Sequence, residues 1–504
     1  MNEEIAEYYE ELYRLYIDEN QPLERRYRQL RESLERVVRE RIQGNSLQTT
    51  DLAARINYVA TQYELDIKEQ NQLHTFRLTS NDILNHRKFP AKEEFLRDLR
   101  AVAFAYRKMF AQDIPLKLFS VLPKQEITSL GKKEKKEYIR RIRVCFDYAD
   151  DTYLYVHPVD IIADEPIRVV YNKPGINHEF EETIKELWRY AQLNLLDVFV
   201  DREGIYTPSF IVLEPDYLID ISSLAECYKD YGSHPANYFL SRLVPIDNAR
   251  PLLLGNIANL FLDEWIHAGE EEPDYIDCMK KAFRQYPIEL AACAELRDPS
   301  KEKEFAKDCR MHFEHIRDIV QHTFLEPGYN LDKKDAVLEP SYICEALGIQ
   351  GRLDYMQRDM SSFIEMKSGK ADEFSIQGKV EPKENNKVQM LLYMAVLEYS
   401  MGQDRRRMHP YLLYTRYPLL YPARASWAQV RRVINLRNRI VAAEYGVQFH
   451  NHSDFTRNLL AQINPEVMNE RKLRGRFWEQ YLKPSISRFR EKLSALEPLE
   501  QAYF

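Results

Sequence analysis

Cysteine is scarce and scattered in this chain: six occur among 504 residues, and no two form a C-x-x-C pair. The sequence therefore predicts neither a disulfide framework nor a zinc ribbon, and most thiols should be packed in the interior. The six are Cys145, Cys227, Cys278, Cys293, Cys309 and Cys344.

Long apolar runs are missing as well. No stretch approaches the roughly 18 consecutive apolar residues that a membrane span needs. The first residues, Met1 to Tyr16, are acidic and helically patterned, without the basic and apolar blocks of a secretory signal. We therefore expect a globular, cytoplasmic protein without a membrane partner.

Positive charge is not in excess either, because the net charge is −8. Since salt screens charges over roughly 8 Å, local patches matter more than the total. Residues 131 to 143 hold seven basic side chains against two acidic ones, and 405–407 and 431–439 add arginine clusters. A solvated surface also explains any single cluster.

Hydrophobic periodicity divides the chain into four parts. Residues 1–110 are patterned as helices, and 111–215 favour short strands around a predicted helix at 181–196. Both a small OB-like barrel that touches nucleic acid and a plain structural sheet fit this β-rich part. Mixed helices and strands follow over 216–485, and a helix is predicted over 486–504. The fold class expected is mixed α/β.

The residues most suited to chemistry lie between 351 and 367. The pattern predicts a β-hairpin in which Glu365 and Lys367, two apart, emerge on one face while Met366 points to the other. If Asp354 occupies the matching position of the partner strand, two carboxylates and the Met366 carbonyl can converge on a hard cation such as Mg²⁺ or Mn²⁺. An exposed strand with alternating charges is the alternative.

Such a set suits phosphodiester hydrolysis. The phosphate gains negative charge during the reaction, and a divalent ion offsets that charge and acidifies an attacking water. The Lys367 ammonium can hold that water or stabilise developing charge. A helix beginning near Asn385 then stacks Gln389 and Tyr393, at i and i+4, on one face.

Together, three motifs resemble those of RecB-like nucleases in the PD-(D/E)XK superfamily. They are Gly351-Arg352-Leu353-Asp354, then Glu365-Met366-Lys367-Ser368-Gly369-Lys370, then Gln389 to Tyr393. Flanking segments, among them Leu436-Arg437-Asn438 and Val212 to Cys227, are similar to the nuclease domain of helicase-nucleases that trim Okazaki flaps. The motifs that match are spread over about 210–504.

This resemblance implies a restriction-endonuclease-like core over 216–485, following an N-terminal helical arm and the β-rich domain. Asp354 and Glu365 would be metal ligands, Lys367 the catalytic cation, and Gln389 and Tyr393 would orient substrate and Lys367. Arg352, Lys370 and Arg437 would contact nucleic acid. A bacterial protein working with a helicase on replicating or damaged DNA is implied, and residues 486–504 would lead towards the helicase part.

The sequence departs from the family pattern at two places. Asn259 stands where the family's helix carries a metal-binding histidine, and Asp263 and His267, on about the same helix face, are alternative ligands. Cys227 aligns with the family's first cluster ligand, but no cysteine follows Cys344, so we expect no iron-sulfur cluster. His312 and His315 lack a third ligand and are predicted to lie on a solvated face.

These observations leave three hypotheses. The first is a metal-dependent nuclease that cuts single-stranded or flap DNA. The second is an inactive nuclease fold that binds DNA or serves as a scaffold for a helicase, suggested by Asn259. The third is an RNA-cutting or defence nuclease, since residue types do not choose the sugar. The chain contains no G-x-x-x-x-G-K-[ST] motif, so ATP hydrolysis by these residues alone is not expected.

Overall fold

A computed structural model describes residues 3–42, 51–124, 137–160, 165–243, 250–374, 379–424, 426–449 and 453–503. The fold is mixed α/β as expected, with 55% helix and 16% strand, so helices supply most of the packing surfaces. The chain forms two compact units. The first contains residues 1–215 and 441–455, and the second contains 216–440 and 456–504.

Unit 1 begins with amphipathic helices, as the periodicity predicts. On the second of them, Leu30, Leu34, Val37 and Val38 recur at helical spacing and are fully buried. The third begins at the N-cap Asp51, whose carboxylate accepts a hydrogen bond from the Ala54 amide. The helices are α1 (Glu3–Ile17), α2 (Leu23–Arg41), α3 (Leu52–Gln62), α4 (Ile67–Leu84), α5 (Lys92–Phe110) and α6 (Leu116–Phe119).

A six-stranded sheet follows in the same unit, in the order β1-β2-β3-β5-β4-β6. Because β1 also pairs with β4, the pairings β1-β2-β3-β5-β4 form a closed ring. Its elements are β1 (Tyr138–Ala149), β2 (Tyr153–Pro158), β3 (Ile167–Val170), α7 (Glu181–Lys185), β4 (Gln192–Val200), β5 (Tyr206–Thr207) and β6 (Phe210–Leu213). The first part of the basic run, residues 131–136, lies outside the described residues.

The helix predicted at 181–196 is wrong beyond its first turns. Helix α7 ends at Lys185, and Tyr190 adopts a left-handed backbone with φ of 70°. From Gln192 the chain is strand β4, buried between β1 and β6. The apolar run of β4 is compatible with the period of a helix and with that of a strand, and it forms a strand because it pairs with a neighbouring strand on each edge.

Unit 2 places most of its strands in a five-stranded sheet of order β16-β15-β12-β11-β8 and a three-stranded sheet of order β7-β10-β9. The elements up to the central strand are β7 (Ile219–Asp220), α8 (Ile221–Ala225), α9 (Ala236–Leu243), α10 (Arg250–His267), α11 (Tyr275–Gln285), α12 (Pro287–Ala292), α13 (Pro299–Gln321), β8 (Ala336–Leu338), β9 (Ser341–Cys344), β10 (Ile349–Arg352), β11 (Tyr355–Gln357) and β12 (Ser362–Lys367). The remainder are β13 (Asp372–Phe374), β14 (Lys379–Glu381), α14 (Glu384–Met401), β15 (His409–Tyr414), β16 (Leu419–Pro422), α15 (Trp427–Phe449), α16 (Ser453–Ala461), α17 (Pro465–Met468), α18 (Lys483–Ser494) and α19 (Pro498–Tyr503). The residues of α15 from 441 onwards and those of α16 up to 455 belong to unit 1.

Strand β12 lies in the middle of the five-stranded sheet, parallel to β15 and antiparallel to β11. One sheet face packs Ile364 and Met366 into a core with Phe261 of α10 and Ile316 of α13. The alternate residues Glu365 and Lys367 therefore emerge on the other face.

The predicted boundary at 215/216 coincides with the boundary between the units. The predicted division near residue 110 does not separate two compact units, because Cys145 of β1 and Tyr190 belong to the core of the N-terminal helices. The helix predicted over 486–504 is observed as two helices, the end of α18 and α19, up to Tyr503, and both belong to unit 2 with the residues before them.

Candidate active site

Glu365 and Lys367 lie on the same face of β12, as their spacing predicts. Lys367 Nζ is 2.9 Å from Glu365 Oε1, and the two form an ion pair. The glutamate is buried and the lysine is partly exposed, so the pair lies at the edge of solvent.

Asp354 reaches Glu365 from outside the hairpin strands. Strand β10 ends at Arg352 in the three-stranded sheet, and the hairpin is formed by β11 and β12, so the predicted hairpin is shifted along the chain. The pairing of Tyr355 with Ile364 places Asp354 beside Glu365. The Met366 amide donates to Asp354 Oδ2 at 2.7 Å, which holds the aspartate at the strand.

The two oxygens of the Glu365 carboxylate have different surroundings. Oε1 accepts hydrogen bonds from Lys367 Nζ at 2.9 Å and from Gln389 Nε2 at 2.6 Å. Oε2 is buried and has no hydrogen-bond partner among the described residues. Burial first, and then the charge of Asp354, raise the pKa of Glu365 to about 8.

The pKa values of the other two charged groups are shifted upwards as well. Burial, with a smaller contribution from Glu339, raises the pKa of Asp354 against the opposing effects of the Met366 amide and Lys367. Burial acts to lower the pKa of Lys367, but Glu365 and Asp354 outweigh it and raise that pKa. The lysine therefore stays a cation, whereas the carboxyl pair resists carrying two negative charges.

Gln389 and Tyr393 both point towards this region from α14, with partners other than those expected. Gln389 Nε2 donates to Glu365 and to Ser222 Oγ, at 2.6 and 3.0 Å, rather than to Lys367. The Tyr393 hydroxyl donates to the Arg352 carbonyl at 2.6 Å, and its ring is buried. Tyr393 thus positions the chain before Asp354, and the roles of Gln389 and Tyr393 in orienting substrate and Lys367 stay predictions.

Gly351 permits this close approach. A Cβ at Gly351 would lie 3.1 Å from the Tyr393 ring and hydroxyl and 3.0 Å from Ile221 Cδ1. The glycine of the first motif therefore lets β10 lie against α8 and α14.

Helix α10 presents one face to the same region. A Cβ at Gly255 would lie 3.3 Å from Ser368 Oγ, just after β12. Asn259, one turn later, is half-buried, and Asp263 follows after another turn. Burial, then Glu339 and Asp354, raise the pKa of Asp263 to about 6. His267 is exposed and contacts the Asp263 carbonyl, at 2.8 Å.

Two residues at the site have no role in the sequence interpretation. Ser222 of α8 contacts Gln389 across 167 positions of the chain. Glu339 donates its amide to the Asp354 carbonyl at 3.1 Å and forms an ion pair with Arg352. Ser222 lies in the flanking segment 212–227, which assigns it no chemistry, and Glu339 lies in none of the motifs, so neither could be identified as a site residue from the sequence.

Of the three basic residues expected at nucleic acid, two are accessible. Arg352 and Lys370 are exposed, and Arg352 Nη1 lies 3.1 Å from Glu339 Oε2. Arg437 is fully buried: its guanidinium donates to the carbonyls of Gly348 and Tyr217. The predicted phosphate contact at Arg437 is therefore wrong, because its guanidinium nitrogens donate to main-chain carbonyls of two separate segments.

Part of this donor set fits a divalent cation. A buried carboxylate oxygen without a partner is a costly feature that a hard cation would relieve. Among the described residues, no three His, Cys, Asp or Glu side chains are grouped to hold a metal. Asp354 and Glu365 would thus need oxygens from the Met366 carbonyl, Asn259, water or substrate to complete the coordination.

The remaining candidates are structural. All six cysteines are free and buried, as predicted for most of them, and Cys227 Sγ lies 3.3 Å from the Ser223 carbonyl oxygen. His312 is fully buried, so the solvated face expected for it is wrong. His315 Nδ1 contacts the Thr415 carbonyl at 2.9 Å.

Comparisons with known proteins add no family assignment: no family model matches the chain, and no curated protein shows significant similarity to it. Within the described residues, none of the helices combines the length and apolar character that crossing a bilayer requires.

Proposed function

We propose that this chain is a divalent-metal-dependent nuclease that hydrolyses phosphodiester bonds in single-stranded or flap DNA. The observation that carries the proposal is the unpartnered, buried Oε2 of Glu365 beside Asp354 and Lys367. The motif resemblance agrees with it, and from that resemblance we further propose that the nuclease works with a helicase in DNA replication or repair.

A divalent cation held by Asp354 and Glu365 would offset the charge of the phosphate and lower the pKa of a water molecule. Lys367 keeps its proton because the two carboxylates raise its pKa. Its ammonium therefore provides a fixed positive charge that stabilises the negative charge developing on the phosphate.

Gln389 holds the glutamate in the orientation that this chemistry needs. Its amide and the Lys367 ammonium both donate to Oε1, which leaves Oε2 available. Ser222 in turn accepts from the same amide nitrogen and limits its rotation. Tyr393 acts further back by holding the Arg352 carbonyl, two residues before Asp354.

The exposed cations next to the carboxylates suit a polyanionic substrate. Arg352 and Lys370 are both exposed on segments that adjoin the site. The Arg352–Glu339 ion pair is solvent-exposed on both sides, and such pairs contribute little, so a phosphate can replace the glutamate at small cost.

Labelled single-stranded DNA incubated with and without Mg²⁺ tests the proposal. We expect metal-dependent cleavage that Asp354→Asn abolishes, although the asparagine oxygen can still accept the Met366 amide. Asp359→Asn is the matched control, because Asp359 lies in the turn at the other end of the same hairpin and accepts the Ser361 amide. Cleavage without metal, or undiminished in Asp354→Asn, contradicts the proposal.

Two further measurements separate the rival functions. An inactive scaffold should bind no Mn²⁺ in calorimetry, or bind it equally well after Glu365→Gln. Replacing the substrate by single-stranded RNA of the same sequence tests the choice of sugar, and preferential RNA cleavage would reassign the enzyme to RNA.

A further inference from the structure

The closed ring of strand pairings in unit 1 has the features of a small oligonucleotide-binding barrel. Strands β3 and β5 pair in parallel, the other pairings are antiparallel, and α7 lies between β3 and β4 in the chain. In five-stranded barrels of the OB type, the face of the second and third strands is where oligonucleotides bind. The side chains on that face therefore decide whether this sheet is only structural.

A row of three side chains crosses that face. The register of β1 against β2 shifts at Asp147, so that Tyr148, and not Asp147, lies opposite Tyr155 of β2. Tyr155 is in turn opposite Arg168 of β3. The two tyrosine rings are stacked with centroids 4.2 Å apart and planes 11° from parallel.

The outer end of this stack is open to solvent. Tyr148 is 49% exposed, and among the described residues its ring contacts no aromatic ring other than Tyr155, which leaves its second face for another planar group. Cross-strand stacking by itself stabilises the sheet, but it gives no reason for about half of the Tyr148 surface to be exposed to solvent. A nucleobase extends such a stack whatever its sequence, because every base has a π-face.

The charges around the row favour base stacking over phosphate contacts as the source of affinity. Arg168 is exposed, with its guanidinium 5.6 Å from the centroid of Tyr153. Asp147 already binds Arg189, and Asp150 accepts from two turn amides and the Tyr155 hydroxyl. With one exposed cation at this row, stacking rather than phosphate contact would supply most of the affinity.

We propose that this aromatic row, Tyr148–Tyr155–Arg168, binds single-stranded DNA, with a base stacked on Tyr148 and a phosphate beside Arg168. This function does not require cleavage and is independent of the proposed nuclease site.

Fluorescence anisotropy tests it with the full chain, EDTA and a labelled oligothymidylate of about 15 nucleotides, within the site size of one such barrel. We expect Tyr148→Ala and Tyr148→Leu to weaken binding roughly 5- to 100-fold, and Tyr148→Phe to bind like the wild type. Arg168→Gln should reduce the slope of log affinity against log salt by about 0.7, the contribution of one phosphate contact.

Thermal unfolding of each variant tests for a folding defect, and little change in Tm is expected because about half of Tyr148 is exposed. Unchanged binding in Tyr148→Ala overturns the proposal, as does equal weakening by Tyr148→Phe. Tighter binding of oligouridylate, with the same dependence on Tyr148, would overturn the assignment to DNA. Absence of Mg²⁺-dependent cleavage would contradict only the nuclease proposal, because EDTA removes cleavage from this assay.

Discussion

Lowering the pH from 8 to 6 should weaken Mn²⁺ binding to the candidate site about 50-fold, because a proton on Glu365 competes with the cation. In the metal-free protein, burial and the charge of Asp354 raise the pKa of Glu365 to about 8. The carboxyl is therefore mostly protonated at neutral pH, and a cation must displace that proton.

The magnitude follows from this single titration. The apparent dissociation constant scales with one plus the ratio of protonated to ionised Glu365, which is about 100 at two pH units below the pKa and about 1 at the pKa. These ratios give factors of about 101 and about 2, whose quotient is about 50. Since the pKa of Asp354 is also raised, its protonation should steepen the loss towards the acidic end.

Isothermal titration calorimetry at pH 6, 7 and 8 measures this dependence. Repeating each titration in two buffers with different ionisation enthalpies counts the protons released, and about one per ion is expected at pH 7. Glu365→Gln cannot release that proton, so its residual binding should be weaker and much less dependent on pH. An affinity that is constant from pH 6 to 8, or binding without proton release, would refute the reasoning.

Other consequences concern stability and rate. In EDTA, raising the pH from 6 to 9 should lower the Tm of the wild type more than the Tm of Glu365→Gln. A carboxyl whose pKa is raised on folding stabilises the protein below the pKa that it has in the unfolded state, and this stabilisation is lost as the pH rises through about 8. Ser222→Ala removes one hydrogen bond to the amide that contacts Glu365, and kcat should fall roughly 2- to 10-fold with little change in Tm. Gly348→Ala places a Cβ against the Arg437 guanidinium at a φ of +65°, and chemical denaturation should reveal a loss of about 1–3 kcal/mol. Gly269→Ala, with nothing within 4 Å of the added carbon, should leave stability nearly unchanged, and equal losses in the two variants would contradict this explanation.

Local periodicity was enough to predict part of the candidate site. Alternation along a strand puts Glu365 and Lys367 on one face, and the ion pair at 2.9 Å confirms it. Helical spacing likewise puts Gln389 and Tyr393 on one face of α14, and both side chains reach the region of the carboxylates. These placements depend only on the backbone repeat of a strand or a helix, which is set by residues close together in the chain.

Partners across long stretches of chain were not predictable in this way. Gln389 contacts Ser222 and Glu365 because α14 packs against α8 and the sheet, and Arg437 is buried because it links two distant main-chain segments. The strand at 192–200 likewise became a strand through its pairing with β1 and β6, although its apolar run also suited a helix. The sequence by itself determined which side chains share a face, whereas only the tertiary structure decided what each face meets, because that depends on packing between elements far apart in the chain.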